Sequence, residues 1–275
     1  MRRASVIEAT LFFMLSAILH LVLTGAALVG SMMFLLWLIH LGIRNASVVD
    51  PGWAFGIPLL AVVYAVMGPG YFWRRWLLAG MAAIWGVRLG TYLLLRMVGK
   101  PEEGRYQELR RQWQHHLALR FLAFFEFQAL LDLLLSLPFL LAALNPRTTL
   151  SLLEYAGFAL WLVALAGEAV ADGQLAAFKR DSSSHGQVCQ RGLWNYSRHP
   201  NYFFEWLIWL AWALFALASP YGWMALVCPV LMFYFLFRVT GIPATEAQAL
   251  RSKGEAYRRY QQTTSAFVPW FKHAT

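Results

Sequence analysis

The sequence predicts an all-α, polytopic membrane protein with seven or eight transmembrane helices and an interfacial helix near its C-terminal end. The composition is one reason: 59% of the 275 residues are hydrophobic and 13% are charged, a mixture that a soluble domain of this size could not bury in one core. Apolar runs recur along the whole chain, and several reach the roughly 20 residues that a helix needs to cross a bilayer. The strict apolar–polar alternation of a transmembrane barrel is absent.

Eight apolar segments are candidate spans. They cover residues 7–23, 27–43, 53–68, 77–96, 121–143, 150–171, 202–218 and 223–239. Because little more than Thr24 and Gly25 separates the first two segments, one bent helix and a total of seven spans is the alternative. The basic start and apolar middle of residues 1–30 also fit a cleaved signal peptide, but Glu8 and the adjoining apolar run favour a retained span.

The positive charge of the chain follows the predicted spans. The formal net charge is +9, which by itself would also suit a nucleic-acid-binding protein. Most of the 23 Lys and Arg residues, however, lie in alternate loops and in the C-terminal tail, with clusters in residues 96–120 and 179–198. Cytoplasmic loops of membrane proteins carry this bias, so we expect both termini in the cytoplasm, membrane lipids as partners and no nucleic acid.

The sequence gives no sign of a second domain or of a metal site. No internal repeat, low-complexity tract or linker divides the chain, so it predicts one membrane domain over residues 1–275. The two cysteines, Cys189 and Cys228, are too few for a disulfide framework or a metal cluster.

Ionisable side chains at the ends of spans are the first candidates for a binding site, because a charge in lipid is costly unless it has a partner. The span at 150–171 runs into GEAVADGQLAAFKRD, where Glu168, Asp172 and Lys179 have the helical spacing i, i+4 and i+11. If that helix continues beyond the bilayer, the three side chains share one face. Two acids and a lysine there suit ribose hydroxyls and a phosphate; a solvated, salt-bridged helix end is the alternative.

The segment GLWNYSRHPNYFFEWLIW, residues 192–209, predicts a helix that begins at Pro200 with His199 as its cap. The free N–H groups and the positive end of the helix dipole, beside Arg198 and His199, are typical of an anion site.

One face of the same helix carries Asn201 and, one turn later, Glu205. A carboxylate among Phe and Trp residues needs a hydrogen-bonding partner or a neutral form, so Glu205 is a candidate site residue. In the alternative interpretation Arg198 only extends to the membrane surface and Glu205 pairs with another helix.

Residues 241–271 leave the last predicted span through Gly-Ile-Pro and then become amphipathic, with Tyr257 and Tyr260 on one side and arginines on the other. This pattern predicts an interfacial helix. Because Glu246 and Tyr257 are eleven residues apart and share a helical face, the segment could also close over a ligand.

Three segments, in this order and spacing, resemble the bacterial branch of the steroid 5-alpha-reductase family: GEAVADGQ…FK, GLWNYSRHPNYFFEWLIW and GIPATEAQALRSKGEAYRRYQQTTSAFVPWF. The similarity extends over residues 40–272 and is most specific in the last hundred. It implies a bacterial inner-membrane protein whose cytoplasmic half, residues 150–272, holds NADPH, and a lipophilic substrate, steroid-like or isoprenoid, that enters from the bilayer. The implied reaction reduces a carbon–carbon double bond conjugated to a carbonyl, as a 3-oxo-5-alpha-steroid 4-dehydrogenase does.

The resemblance also implies a cofactor site. By position, Glu168 and Asp172 match the polar pair for the nucleotide, Lys179 matches a basic position after it, and Asn201 and Glu205 match an N-x-x-x-E segment. With the neighbouring polar side chains, the candidate cofactor-binding residues are Glu168, Asp172, Lys179, Tyr196, Arg198, His199, Asn201, Tyr202, Glu205, Glu246 and Tyr257.

The chain departs from that family in two ways. The family usually has Gly directly before the acid of the N-x-x-x-E segment, whereas this chain has Phe204, whose ring would narrow the cofactor cleft or turn toward lipid. The reductases also use an acid and a tyrosine from earlier helices to polarise the substrate carbonyl, where negative charge develops. The catalytic candidates here are Tyr92, Asp50 and Glu126, with Asp132 as a further available group.

Two other function classes stay open. The RHPNY motif with an acidic C-terminal helix also resembles membrane methyltransferases that act on isoprenylcysteine or phospholipid head groups with S-adenosylmethionine. Those enzymes typically have two adjacent acids after the last span, where this chain has Glu246 followed by Ala247, so the reductase is favoured. A non-catalytic membrane protein that retains a nucleotide pocket is the third interpretation, and Phe204 supports it.

Overall fold

The computed structural model describes residues 2–239 and 241–272, with side chains from residue 15 onward. Among these residues every regular element is helical, which confirms the predicted all-α class. The α-helices are α1 (Arg2–Ile43), α2 (Val49–Met67), α3 (Phe72–Met97), α4 (Gly104–Gln112), α5 (Leu117–Leu135), α6 (Leu137–Leu144), α7 (Leu152–Arg180), α8 (Pro200–Ala216), α9 (Val227–Tyr234), α10 (Ile242–Lys253) and α11 (Glu255–Thr263). A π-helical turn, Phe235–Val239, follows α9.

Five helical segments within the described residues are long and apolar enough to cross a membrane, or six if the bent pair α5 and α6 counts as one span. The protein therefore has the helices of a polytopic membrane protein, but the predicted total of seven or eight spans is not confirmed. Helix α8 has 17 residues, which is at the lower end of the length range of about 17–25 residues for transmembrane helices.

The first two predicted spans, 7–23 and 27–43, form one continuous helix, α1. Gly25 does not break it, because this glycine serves close packing: a Cβ there would stand 2.9 Å from both the Leu60 side chain and the Tyr64 hydroxyl of α2. A helix that crosses a bilayer once has its ends on opposite sides. The cytoplasmic N-terminus was inferred from two spans at this place, so its orientation stays a prediction.

The predicted span 121–143 is bent by 41° between α5 and α6. Pro138, in the first turn of α6, has no N–H to continue the hydrogen bonding of α5. The Ser136 hydroxyl donates to the Leu133 carbonyl at the bend (2.7 Å) and so satisfies one of the acceptors freed there.

The chain divides into two compact units. The first comprises residues 1–151 and 216–225, and its main packing joins α2 to α3 and α1 to α5. Gly86 and Gly90 of α3 let the backbones approach: a Cβ at Gly86 would lie 2.5 Å from Pro58, and one at Gly90 would lie 2.6 Å from the Phe55 ring. Such small residues one turn apart are typical of helix contacts in membranes.

The second unit comprises residues 152–215 and 226–275. Helix α7, with 29 residues, continues past the predicted end of its span, which is the condition under which Glu168, Asp172 and Lys179 share one face. Gly157 of α7 lies against the backbone of α8, where an added Cβ would stand 2.8 Å from the Phe215 nitrogen. Helix α8 begins at Pro200 as predicted, and the first backbone bond, from Phe203 N–H to the His199 carbonyl (3.1 Å), confirms His199 as the cap.

Candidate functional site

The second unit brings together the polar residues that the sequence placed on α7 and α8. Asn201 Nδ2 donates to Asp172 Oδ1 at 3.2 Å, so the first turn of α8 contacts α7. Glu168 lies one turn before Asp172 on α7 and is 5% exposed. Glu205, 9% exposed, accepts a hydrogen bond from Trp209 Nε1 at 2.9 Å. Three carboxyl side chains and one amide thus lie on the adjoining helices α7 and α8.

The side-chain carbonyl of Asn201 is an acceptor that no group in the described part of the chain uses. Its Oδ1 atom is buried and has no hydrogen-bond partner among the described residues. A buried carbonyl oxygen without a donor is costly, and such groups in native proteins usually meet a ligand or water. Asn201 therefore offers an N–H donor a place beside the Asp172 carboxylate.

The ring of Phe204, the departure from the family pattern, packs on a glycine of α7. A Cβ at Gly167 would stand 2.4 Å from the ring, which only glycine avoids. Helix α8 thus lacks the glycine that is usual in the family at position 204, but the facing helix α7 has a glycine, Gly167, against the ring. This contact places the ring in the α7–α8 interface of the second unit.

The segment before α8 is fastened to α7 by two hydrogen bonds. Leu193 N–H donates to Gln174 Oε1 (2.8 Å), and Trp194 Nε1 donates to the Ala171 carbonyl (2.9 Å). Gly192 has φ +57°, and its close approach to the Gln174 side chain leaves no room for a Cβ. These contacts fix the path of the chain into the start of α8.

Arg198 and His199, predicted as an anion site, contact an acid of the C-terminal segment. Arg198 Nε donates to Glu246 Oε1 at 2.7 Å, and His199 Nε2 lies 3.2 Å from the same oxygen. Gln261 Nε2 donates to Glu246 Oε2 at 2.7 Å. Arg198 also donates to the carbonyls of Gln261 and Thr264 at 2.8 and 2.7 Å. We call these residues (Arg198, His199, Glu246 and Gln261, with the Thr264 carbonyl) the arginine network.

The tyrosines of the predicted site have separate positions. Tyr257 is 5% exposed, and burial followed by the charge of Glu246 raises its pKa above the usual range, so the phenol stays neutral. The Tyr202 hydroxyl lies 3.1 Å from that of Thr245, and its ring stacks on His199. Tyr196 is 41% exposed; its carbonyl accepts from Trp270 N–H (2.9 Å).

Lys179 lies at the end of α7, next to a cavity of about 220 Å³ that Lys253 also lines. It is therefore two turns from Asp172 along the same helix, roughly 10 Å at 1.5 Å per residue.

In the first unit, Asp50 is the acceptor of a charged cluster. The Tyr106 hydroxyl donates to Asp50 Oδ1 at 2.6 Å, and Arg105 forms an ion pair with Oδ2. Tyr106 is 1% exposed, and burial, then the negative charge of Asp50, raises its pKa well above the usual range. Glu103 pairs with Arg96 at 2.6 Å and with Arg105 at 3.4 Å.

The structure does not bring Tyr92 and Glu126 into this cluster. Tyr92 is 59% exposed on α3. Glu126 lies on α5 facing α1, where its Oε2 would be 3.5 Å from a Cβ at Gly30.

Asp132 is a buried acid of the first unit, on α5. It is 0% exposed, and neither carboxylate oxygen has a hydrogen-bond partner among the described residues. Gly56 of α2 makes room for it, since a Cβ there would stand 2.1 Å from Oδ2.

Four residues of these clusters were missed from the sequence. Gln174 belongs to the GEAVADGQ segment and could have been included, but Gln261 and Lys253 lie among other polar residues of an amphipathic stretch and carry no distinguishing signal. Tyr106 lies in the charged segment between the predicted spans 77–96 and 121–143, where a phenol gives no hint of burial.

A family model described as "Protein of unknown function (DUF1295)" matches residues 36–264. Neither the curated proteins nor the solved structures contain a significant match to the chain. The matched range includes α2 to α11, and so both the second-unit polar cluster and the Asp50 cluster.

Proposed function

We propose that this chain, a member of the DUF1295 family, is an NADPH-dependent membrane reductase of a carbon–carbon double bond conjugated to a carbonyl in a lipophilic, steroid-like or isoprenoid substrate. The observation that carries the proposal is the polar cluster of the second unit. There the buried Asn201 Oδ1 lacks a donor among the described residues, beside the carboxylate of Asp172.

The donors and acceptors of this cluster fit the nicotinamide half of NADPH. A carboxamide N–H would satisfy Asn201 Oδ1, and ribose hydroxyls would donate to the carboxylates of Asp172 and Glu168. The carboxylates of Asp172 and Glu168 would repel the phosphates of the cofactor. Lys179, two turns further along α7, would attract them. A ligand that uses both ends must be elongated, as a dinucleotide is. When bound, NADPH supplies the hydride for the β carbon of the substrate.

The first test is ligand-dependent stability. Purified protein in detergent is titrated separately with NADPH and with S-adenosylmethionine while its melting temperature is followed, because a ligand of the folded state must raise it as concentration increases. We expect stabilisation by NADPH alone. Stabilisation by S-adenosylmethionine alone would contradict the reductase proposal and favour the methyltransferase. Stabilisation by neither ligand would contradict both proposals.

The second test concerns Asn201 and Glu205. Glu205→Gln should weaken NADPH binding by roughly 1.5–3 kcal/mol and Asn201→Ala by roughly 0.5–1.5 kcal/mol, the usual ranges for charged and neutral hydrogen bonds. The double variant should be non-additive because both groups would contact one ligand. Gln262→Ala, which removes an exposed carboxamide of α11, is the control. A stable Glu205→Gln protein with unchanged affinity would exclude that residue.

We also propose that this site faces the cytoplasm, where NADPH is available, in agreement with the basic residues of 179–198. Ser183 is exposed in the loop after α7, and Cys189 and Cys228 are buried. An introduced cysteine at Ser183 should therefore be the main site of labelling. We expect a membrane-impermeant thiol reagent to modify it in inverted vesicles and not in intact cells; the reverse would overturn the orientation.

A further inference from the structure

A second polar feature of the second unit lies outside the Asp172–Asn201 contact. The end of α7, the loop after it and the end of α10 line a partly open cavity of about 220 Å³. Lys179 and Lys253 line it, together with His185, Gln187 and Ser184. Every ionisable side chain of the lining is a base.

The two lysines have no counter-ion in the described residues. No carboxylate in the described part of the second unit forms an ion pair with Lys179 or Lys253. Asp181, the acid of the same loop, accepts instead from the N–H and hydroxyl of Ser183 and pairs with Arg191 at 3.5 Å. These contacts lower the pKa of Asp181, with the Ser183 hydroxyl bond as the main cause. The positive charge of the cavity is thus left for an anion.

The size of the cavity limits the anion. Pockets that enclose a whole drug-sized ligand measure about 300–1,000 Å³, so 220 Å³ suits one charged group with its immediate attachment. The lysine ammonium groups are the donors for phosphate oxygens, because the Ser184 hydroxyl already donates to Asp181 (3.3 Å) and the Gln187 carboxamide to the Ser183 carbonyl (3.0 Å). The Phe178 ring on the wall provides an apolar surface for the carbon skeleton that bears the anion.

We propose that this cavity binds a phosphomonoester, with Lys179 and Lys253 as its counter-ions. Two sources could supply that group at a cytoplasmic membrane surface. One is the ribose phosphate that distinguishes NADPH from NADH, a choice that rests on the proposed function. The other is the head group of an anionic lipid such as phosphatidic acid.

The test uses the full chain and two matched double variants. Lys179→Gln with Lys253→Gln removes both charges of the cavity. Lys100→Gln with Arg251→Gln removes the same total charge from exposed positions, of which Arg251 lies two residues from Lys253 on α10. Dissociation constants for NADPH and NADH are measured in detergent, and melting temperatures are measured in nanodiscs of phosphatidylcholine with and without phosphatidic acid.

If the cofactor is the source, the unmodified protein and the control bind NADPH at least about tenfold more tightly than NADH, and the cavity variant loses this preference while NADH affinity stays the same. The preference should also shrink at high salt, because screening weakens charge attraction. If the lipid is the source, phosphatidic acid raises the melting temperature of the unmodified protein and the control but not of the cavity variant. Either result supports the phosphomonoester site.

Equal responses of the cavity variant and the control in both assays would overturn it. Should the double variant not fold, Lys179→Gln alone, at an exposed helix end, is compared with Lys100→Gln by the same criteria. The two proposals fail separately. A lysine-dependent lipid effect without binding of either dinucleotide would support the phosphomonoester site and contradict the reductase. Strong NADPH binding, with no dependence on the two lysines in either assay, would support the reductase and contradict the phosphomonoester site.

Discussion

The two units hold their buried polar side chains in different ways. In the second unit, Arg198 contacts Glu246 and two backbone carbonyls, so each charge has several partners. In the first unit, Asp132 lies in the interior with no hydrogen-bond partner among the described residues, while Asp50 and its partners form a cluster at the start of α2.

The difference separates residues that stabilise structure from those that are available to a ligand. A charge with three or four partners fixes the segments that supply them, and the arginine network joins α8 to the residues of α10 and α11. It therefore explains Arg198, His199 and Glu246 without a cofactor. Asn201, whose Oδ1 has no hydrogen-bond partner among the described residues, and the lysine-lined cavity remain the stronger candidates for binding.

Removal of the arginine is expected to have the largest effect. Arg198→Ala leaves Glu246 partly buried without its ion pair and frees two carbonyls, which should cost about 3–5 kcal/mol of unfolding free energy. Thermal melting in detergent and proteolysis of residues 264–272 measure it. Arg198→Lys should recover only part of the lost unfolding free energy, since lysine lacks the planar guanidinium group that donates to several acceptors at once.

Arg251→Ala, on the exposed side of α10, is the control for that change and should melt like the unmodified protein. A loss below about 1 kcal/mol for Arg198→Ala, the value typical of surface ion pairs, would show that the network contributes no more than an exposed pair. The contrast between the units would then disappear.

A methyl group on Gly167 tests the packing of Phe204. Gly167→Ala places a Cβ 2.4 Å from the ring and should destabilise the second unit by about 1–3 kcal/mol. Gly173→Ala is the matched control on the same helix, because nothing lies within 4 Å of its Cβ; it should be neutral or stabilising by up to about 1 kcal/mol. Equal melting temperatures for the two variants would place the ring elsewhere.

The corresponding change in the first unit is Gly56→Ala, whose Cβ would stand 2.1 Å from Asp132 Oδ2. We expect a loss of about 1–2 kcal/mol, smaller than for Gly167 because a carboxyl group can rotate away more easily than a ring. Adding Asp132→Ala should remove most of it, a non-additive result. Gly80→Ala, with nothing within 4 Å, controls for helix propensity. Additive losses would mean that the two residues are not in contact.

The smallest effect is expected from the exposed pair of α11. Arg258 and Glu255 are 3.8 Å apart with side chains 69% and 66% exposed, and such pairs contribute about 0.5 kcal/mol or less. Arg258→Ala should therefore leave the melting temperature nearly unchanged. Added salt should make the difference from the unmodified protein smaller still, because it screens the ion pair. A loss close to that of Arg198→Ala would show that exposed and networked pairs are equivalent here.

Much of the local structure was predictable. Pro200 defined the start of α8 because proline has no N–H to lose at a first helical position. The spacing of the acids of α7 predicted a shared face only if the helix extended beyond its apolar part, and it does. The breaks were less predictable. From the sequence, Thr24 and Gly25 were predicted to separate two spans. In the structure the side chains of Leu60 and Tyr64 pack against Gly25, and the helix continues through it.

The sequence by itself determined the helical class, the membrane character, the start of α8 and the polar faces of α7 and α8, because periodicity and capping depend on residues close in the chain. Only the tertiary structure decided which partner each charge has. Glu246 lies 48 residues from Arg198, Asp50 lies 56 from Tyr106, and Lys253 joins Lys179 across a loop. Such contacts depend on how helices pack, and helical periodicity does not specify which faces meet.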